Sequence, residues 1–326
     1  MTFNLKFDIL KSRRVCKNIK KYIKTNNSNI KNDFILKPKK LLKIKNNKFK
    51  GCLPKMINSK IIFKGKGNIL FCEDNVCLEN SILNFECNNS IIYLSSNTHN
   101  YKIKIDIRNN SVFYIGKNCY FNNVISIILS EEKNIIIGSD CLFALNIFMR
   151  TADPHLIYDI KTHNRINLSK SIYIGDHVWI GQDTNLLKGT NIGSGTIVGA
   201  GSIVSNKKLN SNSIYAGNKL HLIKENVFWD GKCVHKWTSA NTKKYMVEPS
   251  DRYIYKKNKT NNFIIIEETL NKLTSAEKKL EYMLTKMNQE NKNRFSIYWN
   301  NIIFCHYNFV KKKYKFNYKI LYSGEE

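Results

Sequence analysis

Two residues of this chain, His155 and Trp179, have the type and spacing that could carry chemistry. The histidine closes the segment Thr151-Ala-Asp-Pro-His155, and the tryptophan follows 24 residues later, within Val178-Trp-Ile-Gly181. A neutral imidazole, with an ordinary pKa near ~6.5, can take a proton from an attacking nucleophile at neutral pH. An indole offers a flat apolar face and one N–H donor to a ligand. The pair therefore predicts a general base and a ligand-orienting residue.

The second ring nitrogen of such a base needs an acceptor to orient it. Asp153, Asp159 or a backbone carbonyl could serve, and the sequence leaves the choice open. His163 and His177 are weaker candidates for the base, and we expect His177 to be exposed.

The elements that must position these residues follow a six-residue period. A period of six fits neither a helix nor a plain strand, and it predicts a solenoid with three flat faces, one coil for every three hexads. The inward apolar residues would be Ile174, Ile180, Leu186, Ile192, Val198 and Val204. The fifth residue of each hexad is small or β-branched and is expected to be buried: Val178, Thr184, Thr190, Thr196 and Ser202, with Cys119 and Cys141 in equivalent places.

A break in this period marks a place where function is expected. Eighteen residues on from Ile137, the next coil should begin at residue 155, but it begins at Ile174, nineteen residues later. Residues 155–173 therefore form a loop that protrudes from a regular scaffold, and such loops commonly carry function.

The charge of the chain is strongly positive, with 53 Lys and Arg against 25 Asp and Glu, a net +28. Residues 1–50 hold 16 basic and 2 acidic side chains, so half of the excess lies there. An anionic partner is expected: a membrane surface, an acidic glycan or nucleic acid. Nucleic acid is disfavoured, because no zinc-finger, RNA-binding or recognition-helix pattern is present.

The cysteines and the apolar runs indicate the cellular compartment and whether a metal site is expected. Nine scattered cysteines without Cys-x-x-Cys pairs predict free thiols and no metal site. No apolar run approaches the ~18 residues of a membrane span, and the N-terminus lacks the apolar core of a secretory signal. We expect a cytoplasmic protein, with residues 1–50 as a candidate for peripheral contact with the inner membrane.

Four regions are predicted along the chain. Residues 1–55 form a basic segment with an amphipathic helix at 5–24, residues 56–213 the solenoid, residues 214–231 a closing helix, and residues 232–326 a partly helical extension. Within the extension, an amphipathic helix is expected near 267–290, with an apolar stripe formed by Leu270, Leu273, Leu280, Met283, Leu284 and Met287. The basic and aromatic segment at 311–319 is left unassigned.

The hexads, the Thr-Ala-x-x-His element and the Val-Trp-Ile-Gly element together resemble the hexapeptide-repeat acyltransferases over roughly residues 115–230. Within that family, the chain is similar to the galactoside and maltose acetyltransferases and to bacterial sialic-acid and polysialic-acid O-acetyltransferases. The resemblance implies a mainly β fold, a left-handed parallel β-helix. It also implies a homotrimer with acetyl-coenzyme A bound between subunits, His155 as general base and Trp179 in the groove.

The resemblance also suggests where the substrates bind. Backbone N–H groups near Trp179–Gly181 would stabilise the oxyanion, and Tyr120 and Asn122 loosely match an acceptor-sugar region. The chain departs from the family in having Asn218-Lys-Leu220 where Asn-Pro-Ala is usual, and Ser205-Asn206 where Thr-Lys is common. Coenzyme A would contact Gly181, Gln182, Ala200, Ser202, Ser205 and either Lys207 or Lys208.

The sequence thus predicts an O-acetyltransferase that acts on a hydroxyl of an anionic cell-surface sugar, with sialic acid in lipooligosaccharide or capsule favoured. Two alternatives stay open: N-acetylation of an amino sugar nucleotide, and a solenoid that serves as a scaffold without catalysis.

Overall fold

The computed structural model describes residues 46–256, 262–287 and 291–298. They form a left-handed parallel β-helix of about seven coils, followed by a helical extension, which confirms the predicted fold class. The helix expected at 5–24 and the segment 311–319 lie outside the described residues, as does most of the basic region 1–55. The first strand begins at Lys48, so the coils start before the predicted boundary at residue 56.

Three sheets run along the coils, one on each face of a triangular prism, and all their strands are parallel except the last strand of sheet II. Sheet I has eight strands: β1 (Lys48–Gly51), β4 (Ile69–Cys72), β7 (Ile91–Leu94), β9 (Val112–Ile115), β12 (Ile135–Ile137), β15 (Ile172–Ile174), β18 (Asn191–Ile192) and β21 (Lys208–Leu209). Sheet II has six: β10 (Tyr120–Phe121), β13 (Leu142–Phe143), β16 (Trp179–Ile180), β19 (Ile197–Val198), β22 (Ser213–Ala216) and β23 (His221–Glu225). Sheet III has seven: β3 (Lys60–Phe63), β6 (Ile82–Phe85), β8 (Ile103–Ile107), β11 (Ile125–Leu129), β14 (Phe148–Arg150), β17 (Asn185–Leu187) and β20 (Ile203–Val204). In the first coils, β2 (Lys55–Ile57) and β5 (Cys77–Glu79) form a separate parallel pair.

The strand register confirms the six-residue period. Ile174 pairs with Ile137 on one side and with Ile192 on the other, although the first pair is separated by 37 residues because of the loop. All six inward residues from Ile174 to Val204 are fully buried. The residues predicted for the fifth position, including Cys119 and Cys141, are buried as well, so these two thiols are packing groups.

The corners of the coils have two distinct requirements. The fourth hexad residue adopts a left-handed conformation and is an Asn, Asp, His or Gly, as at Asp140 (φ 57°) and His177 (φ 53°). The glycine at the second position is needed because the next coil passes so close: a Cβ on Gly138 would lie 2.5 Å from the carbonyl carbon of Gly175.

The closing helix predicted for residues 214–231 is wrong. Ile214 and Tyr215 continue the coil register by pairing with β19, and the chain then turns at Gly217 (φ 106°) into the antiparallel strand β23. All five residues of β23 are exposed, so this segment has no apolar face that a helix could bury.

The extension contains short helices rather than one long helix. They are α1 (Ser239–Lys244), α2 (Asn262–Lys272) and α3 (Ala276–Tyr282), with a π-helical turn at Met283–Met287. The predicted helix near 267–290 is interrupted because the Ser275 side chain accepts a hydrogen bond from Lys278 N and so begins a new helix. No helix in these described ranges is long and apolar enough to cross a bilayer.

The extension covers the outer face of sheet I. Outward residues of the sheet, such as Tyr93, Tyr114 and Tyr173, pack in one buried cluster with Phe263 and Leu280 of the helices. Of the predicted apolar stripe, Leu270, Leu280, Met283 and Met287 are buried in this cluster, whereas Leu284 is exposed.

Candidate active site

The loop at residues 155–173 is a hairpin fixed to the coil by an arginine. Tyr158 and Arg165 form an antiparallel bridge, and the Arg165 guanidinium donates two hydrogen bonds to the Glu131 carboxylate at 2.6 and 2.9 Å. Ser169 also donates to this carboxylate, and the hydrogen bonds from Arg165 and Ser169 lower the pKa of Glu131 to about 2. The root of the loop is therefore held in a defined place on the scaffold.

His155 lies at this root and is exposed to solvent. Its backbone carbonyl accepts a hydrogen bond of 2.7 Å from the Asn167 side chain, which fixes the backbone. Within residues 46–256, 262–287 and 291–298, no group hydrogen-bonds to the imidazole ring itself. The ring is thus available to a ligand.

The two carboxylates expected to orient His155 have other partners in this structure. Asp153 pairs with the Lys188 ammonium at 2.5 Å, and this hydrogen bond lowers the pKa of the carboxyl group. Asp159 accepts hydrogen bonds from Lys161 N and from the backbone and hydroxyl of Thr162, so it closes the hairpin turn. Neither carboxylate bonds to His155 within the single chain.

Trp179 lies on β16 of sheet II and points outward, with 39% of its surface exposed. It pairs in register with Leu142, which pairs with Tyr120, so Tyr120 lies two rungs away on the same face. Adjacent rungs are about 4.8 Å apart, so the two aromatic positions lie roughly 10 Å apart along this face. Asn122 is exposed just beyond β10.

The backbone donors expected near Trp179 are committed elsewhere. Trp179 N donates to Thr196 O at 3.0 Å and Gly181 N to Val198 O at 2.7 Å, because each coil bonds to the next. The expectation that these two N–H groups form an oxyanion hole is therefore wrong. The indole N–H of Trp179 has no acceptor among the described residues and stays available to a ligand.

His177 is buried, contrary to the expectation of an exposed residue. Only 3% of its surface is accessible, and its ring stacks on Trp229 at 3.9 Å and on Tyr253 at 3.6 Å between ring centres. Burial lowers the pKa of His177 to about 4, so the ring is neutral at pH 7. Local sequence could not predict this burial, because both stacking partners lie more than fifty residues away along the chain.

A cavity of about 480 Å³ lies at the C-terminal end of the coils, where coenzyme A was expected. Ser205 and Lys207 line it, whereas Lys208 is not among its lining residues. Two further lining residues, Lys219 and His221, were missed. The departure at Asn218-Lys219-Leu220 was their only signal, and Lys219 takes a positive φ of 111° in the turn there.

The remaining residues expected at coenzyme A divide into two groups. Gln182 and Ala200 are exposed at the corner of the coil and can meet a ligand. Ser202 is fully buried, and its hydroxyl donates to Gly199 O at 2.6 Å and accepts from Gly217 N at 3.0 Å. Gly181 is buried, and a Cβ there would lie 2.5 Å from Ala200 N. Ser202 and Gly181 therefore shape the corner of the coil.

His155 and Trp179 leave the scaffold from different sheets. The loop follows β14 of sheet III, whereas Trp179 belongs to sheet II. One chain thus offers an available imidazole, an available indole and a basic cavity along the two sheets that its helical extension leaves open.

The comparisons with known proteins find similarity to polysialic acid O-acetyltransferases. The chain is 28% identical over 113 residues to the enzyme of Neisseria meningitidis, covering 35% of this chain and 52% of that protein. It is 36% identical over 50 residues to the enzyme of Escherichia coli O1:K1, covering 15% and 16% of the two chains. It therefore spans about half the length of the first of these relatives and less of the second. No protein-family model matches the chain.

A solved structure extends the similarity over the coils. The crystal structure of the polySia-specific acetyltransferase NeuO superposes with a TM-score of 0.52 at 28% identity, covering 61% of this chain and 93% of that one. Together with the stacked hexads and the loop that interrupts them, these findings show that the chain is similar to hexapeptide-repeat acetyltransferases.

Proposed function

We propose that this protein is an O-acetyltransferase that moves an acetyl group from acetyl-coenzyme A to a hydroxyl of sialic acid in an anionic cell-surface glycan. One observation carries the proposal: similarity to polysialic acid O-acetyltransferases coincides with a loop that sets an available imidazole at its root. From the sequence, the types and spacing of His155 and Trp179 predicted a general base and a ligand-orienting residue, and the resemblance implied acetyl transfer.

In the proposed reaction, His155 is the general base. Its neutral imidazole accepts the hydroxyl proton as the sugar oxygen forms a bond to the thioester carbonyl carbon. The tetrahedral intermediate then collapses by breaking the C–S bond, and the proton passes from the imidazolium to the leaving thiolate. The products are the acetyl ester and coenzyme A.

Trp179 would contribute its face and its free indole N–H to this step. The N–H could donate to the acyl oxygen or to the acceptor, and the face could pack on the sugar or the pantetheine arm. Tyr120, on the same sheet face, would extend the acceptor surface.

The basic cavity is the proposed site for the nucleotide end of coenzyme A. Lys207 and Lys219 are suited to phosphate groups, because charge-assisted hydrogen bonds to phosphate are strong. No metal is needed in this mechanism. The net charge of +28 would favour encounter with a polyanionic acceptor.

A second copy of the chain would complete the site, since His155 and Trp179 leave from different sheets. Sheet I is covered by the helical extension, so sheets II and III are the faces available for contact between copies. The loop carries several exposed apolar side chains suited to such a contact: Leu156, Ile157, Tyr158, Ile160, Ile166 and Leu168. A closed homotrimer satisfies this head-to-tail contact between two different faces. We also propose that the enzyme is cytoplasmic and that residues 1–50 make a peripheral contact with the membrane.

The test is an acetyl-transfer assay with acetyl-coenzyme A and a sialylated acceptor, following thiol release and the mass gain of one acetyl group. We expect turnover by the wild-type protein and a loss of about 10²- to 10⁴-fold in His155→Ala, since the general base is removed. Mild alkali should release the acetyl group, because the product is an ester.

His163→Asn provides the matched control. His163 is an exposed histidine of the same loop with a φ of 55°, a conformation that asparagine tolerates. We expect it to keep near wild-type activity. Full activity of His155→Ala would refute the mechanism, and an alkali-stable product would indicate N-acetylation instead.

A further inference from the structure

The segment that follows the last coil returns to the corner between sheets I and II, and it reaches Trp179. Trp229, which lies between β23 and α1, has its ring centre 5.7 Å from that of Trp179, with the two planes tilted by 49°. Trp229 is 8% exposed, so it is a buried residue in contact with a partly exposed one. The contact joins a region outside the hexads to the face of the proposed site.

Trp229 is itself fixed by two reciprocal hydrogen bonds to His177. The indole N–H donates to His177 O at 3.0 Å, and the His177 ring nitrogen Nε2 lies 3.0 Å from Trp229 O. The interplanar angle of 9° between the rings adds a close stack. Since His177 and Trp179 are two residues apart on one coil, the contacts of Trp229 with His177 fix the corner from which Trp179 projects.

The far side of His177 is closed by Tyr253. Its ring stacks on His177 with an interplanar angle of 3°, and because two parallel rings cannot share one face, His177 is sandwiched between Tyr253 and Trp229. Asn212 ties both partners' segments to the last coil: its side-chain amide donates to Val227 O at 3.0 Å and to Tyr253 O at 2.9 Å.

We infer that Trp229 is a positioning residue that holds the Trp179 indole in its orientation for acetyl transfer. The inference rests on the proposed function and adds to it a role for the segment after the coils. Trp179 lies on a two-residue strand at the prism surface and is two-fifths exposed, so its rotamer is not fixed by the solenoid core. The buried Trp229 ring packs against the Trp179 indole and so restricts its rotamer.

The decisive experiment is a double-mutant cycle in the full-length protein, combining Trp229→Leu with Trp179→Ala. If Trp229 acts through Trp179, we expect Trp229→Leu to lower kcat on the order of tenfold in the wild-type background and to have no further effect when Trp179 is alanine. If the losses in kcat of the two single variants multiply in the double variant, the inference is overturned.

A second readout follows the Trp179 ring directly and does not depend on turnover. In protein labelled with 5-fluorotryptophan, the fluorine resonance of Trp179, assigned from Trp179→Phe, should shift and sharpen in Trp229→Leu as the indole gains mobility. An unchanged resonance would refute the positioning role. Absence of acetyl transfer by the wild type would instead refute the proposed function and leave this readout interpretable.

Two variants separate positioning from folding. Trp229→Phe loses the N–H donated to His177 but keeps a ring against Trp179. Because the ring is kept, we expect Trp229→Phe to have most of the wild-type activity that Trp229→Leu loses. Trp237→Leu removes a tryptophan that stacks on Tyr245 at 4.9 Å, and we expect it to leave the Trp179 resonance unchanged. A Trp237→Leu effect equal to that of Trp229→Leu would contradict the proposal.

Discussion

At the scale of single residues, the hexad position of a side chain determines whether it packs or is available to a ligand. Cys119, Cys141 and Ser202 occupy the fifth position and are buried, whereas Trp179 takes the sixth and is partly exposed. His177 shows how this rule can be overridden. Its corner would face solvent on a bare coil, but Trp229 and Tyr253 cover it.

The buried His177 predicts a specific loss of stability in acid. Its pKa is about 4 in the folded chain against an ordinary 6.5, so the unfolded chain binds the proton first as the pH falls. The free energy of unfolding should therefore fall between about pH 6.5 and pH 4, by up to about 3 kcal/mol. Urea unfolding at a series of pH values measures this slope. His177→Asn, which suits the left-handed corner and does not titrate, should show a smaller slope; equal slopes would rule the explanation out.

At the scale of the elements, stacked strands of two to five residues derive their stability from register. Each strand bonds to the coils before and after it, and the corner glycines permit the close approach. The loop is the single place in the described coils where nineteen extra residues leave this register, and Glu131 secures it by pairing with Arg165.

A corner glycine gives the element-scale prediction. In Gly138→Ala, the new Cβ would meet the backbone of Gly175 and Asp176 at 2.5–2.6 Å, so the coils must separate. We expect a loss of about 1–3 kcal/mol in the free energy of unfolding. Gly201→Asn is the matched control, because nothing lies within 4 Å of its Cβ position and its φ of 68° suits asparagine. A loss of similar size in both variants would show that crowding is not the cause.

At the scale of the whole molecule, the helical extension makes the three faces of the prism unequal. Sheet I is capped by α2, α3 and the residues around Phe295, and a partly buried ion pair from Arg294 to Asp176 at 2.7 Å joins the extension to the coil corner. The two other sheets carry the residues proposed for catalysis and for contact between copies. In the proposed assembly, the extension therefore leaves sheets II and III as the faces for contact between copies.

Removing one anchor of the extension tests this role. Phe263 is 2% exposed and stacks on Tyr173 at 5.1 Å and on Phe295 at 4.9 Å. We expect Phe263→Ala to cost about 3–5 kcal/mol in urea unfolding, since it leaves a cavity between helix and sheet. Ile264→Ala, at a 47% exposed neighbour on the same helix, should change stability little. Comparable losses at both positions would mean that α2 does not pack as described.

The sequence by itself determined the coil. Large inward residues at Ile174, Ile180 and Leu186, with small ones between them, repeat with a period that only a three-sided solenoid can bury, and the nineteen-residue break located the loop and His155. These are local properties, carried by spacing along the chain, and they need no knowledge of distant contacts.

Only the tertiary structure decided what covers the coil and which groups stay available. His177 is sandwiched between Trp229 and Tyr253, the extension covers sheet I, and Asp153 pairs with Lys188. These contacts join residues that lie from 35 to more than 75 positions apart along the chain. The prediction of a closing helix was wrong for a related reason. Residues of β22 form a strand because they pair with β19, and their own sequence pattern does not indicate this. Pairing and packing between distant segments depend on the folded geometry, which periodicity alone does not encode.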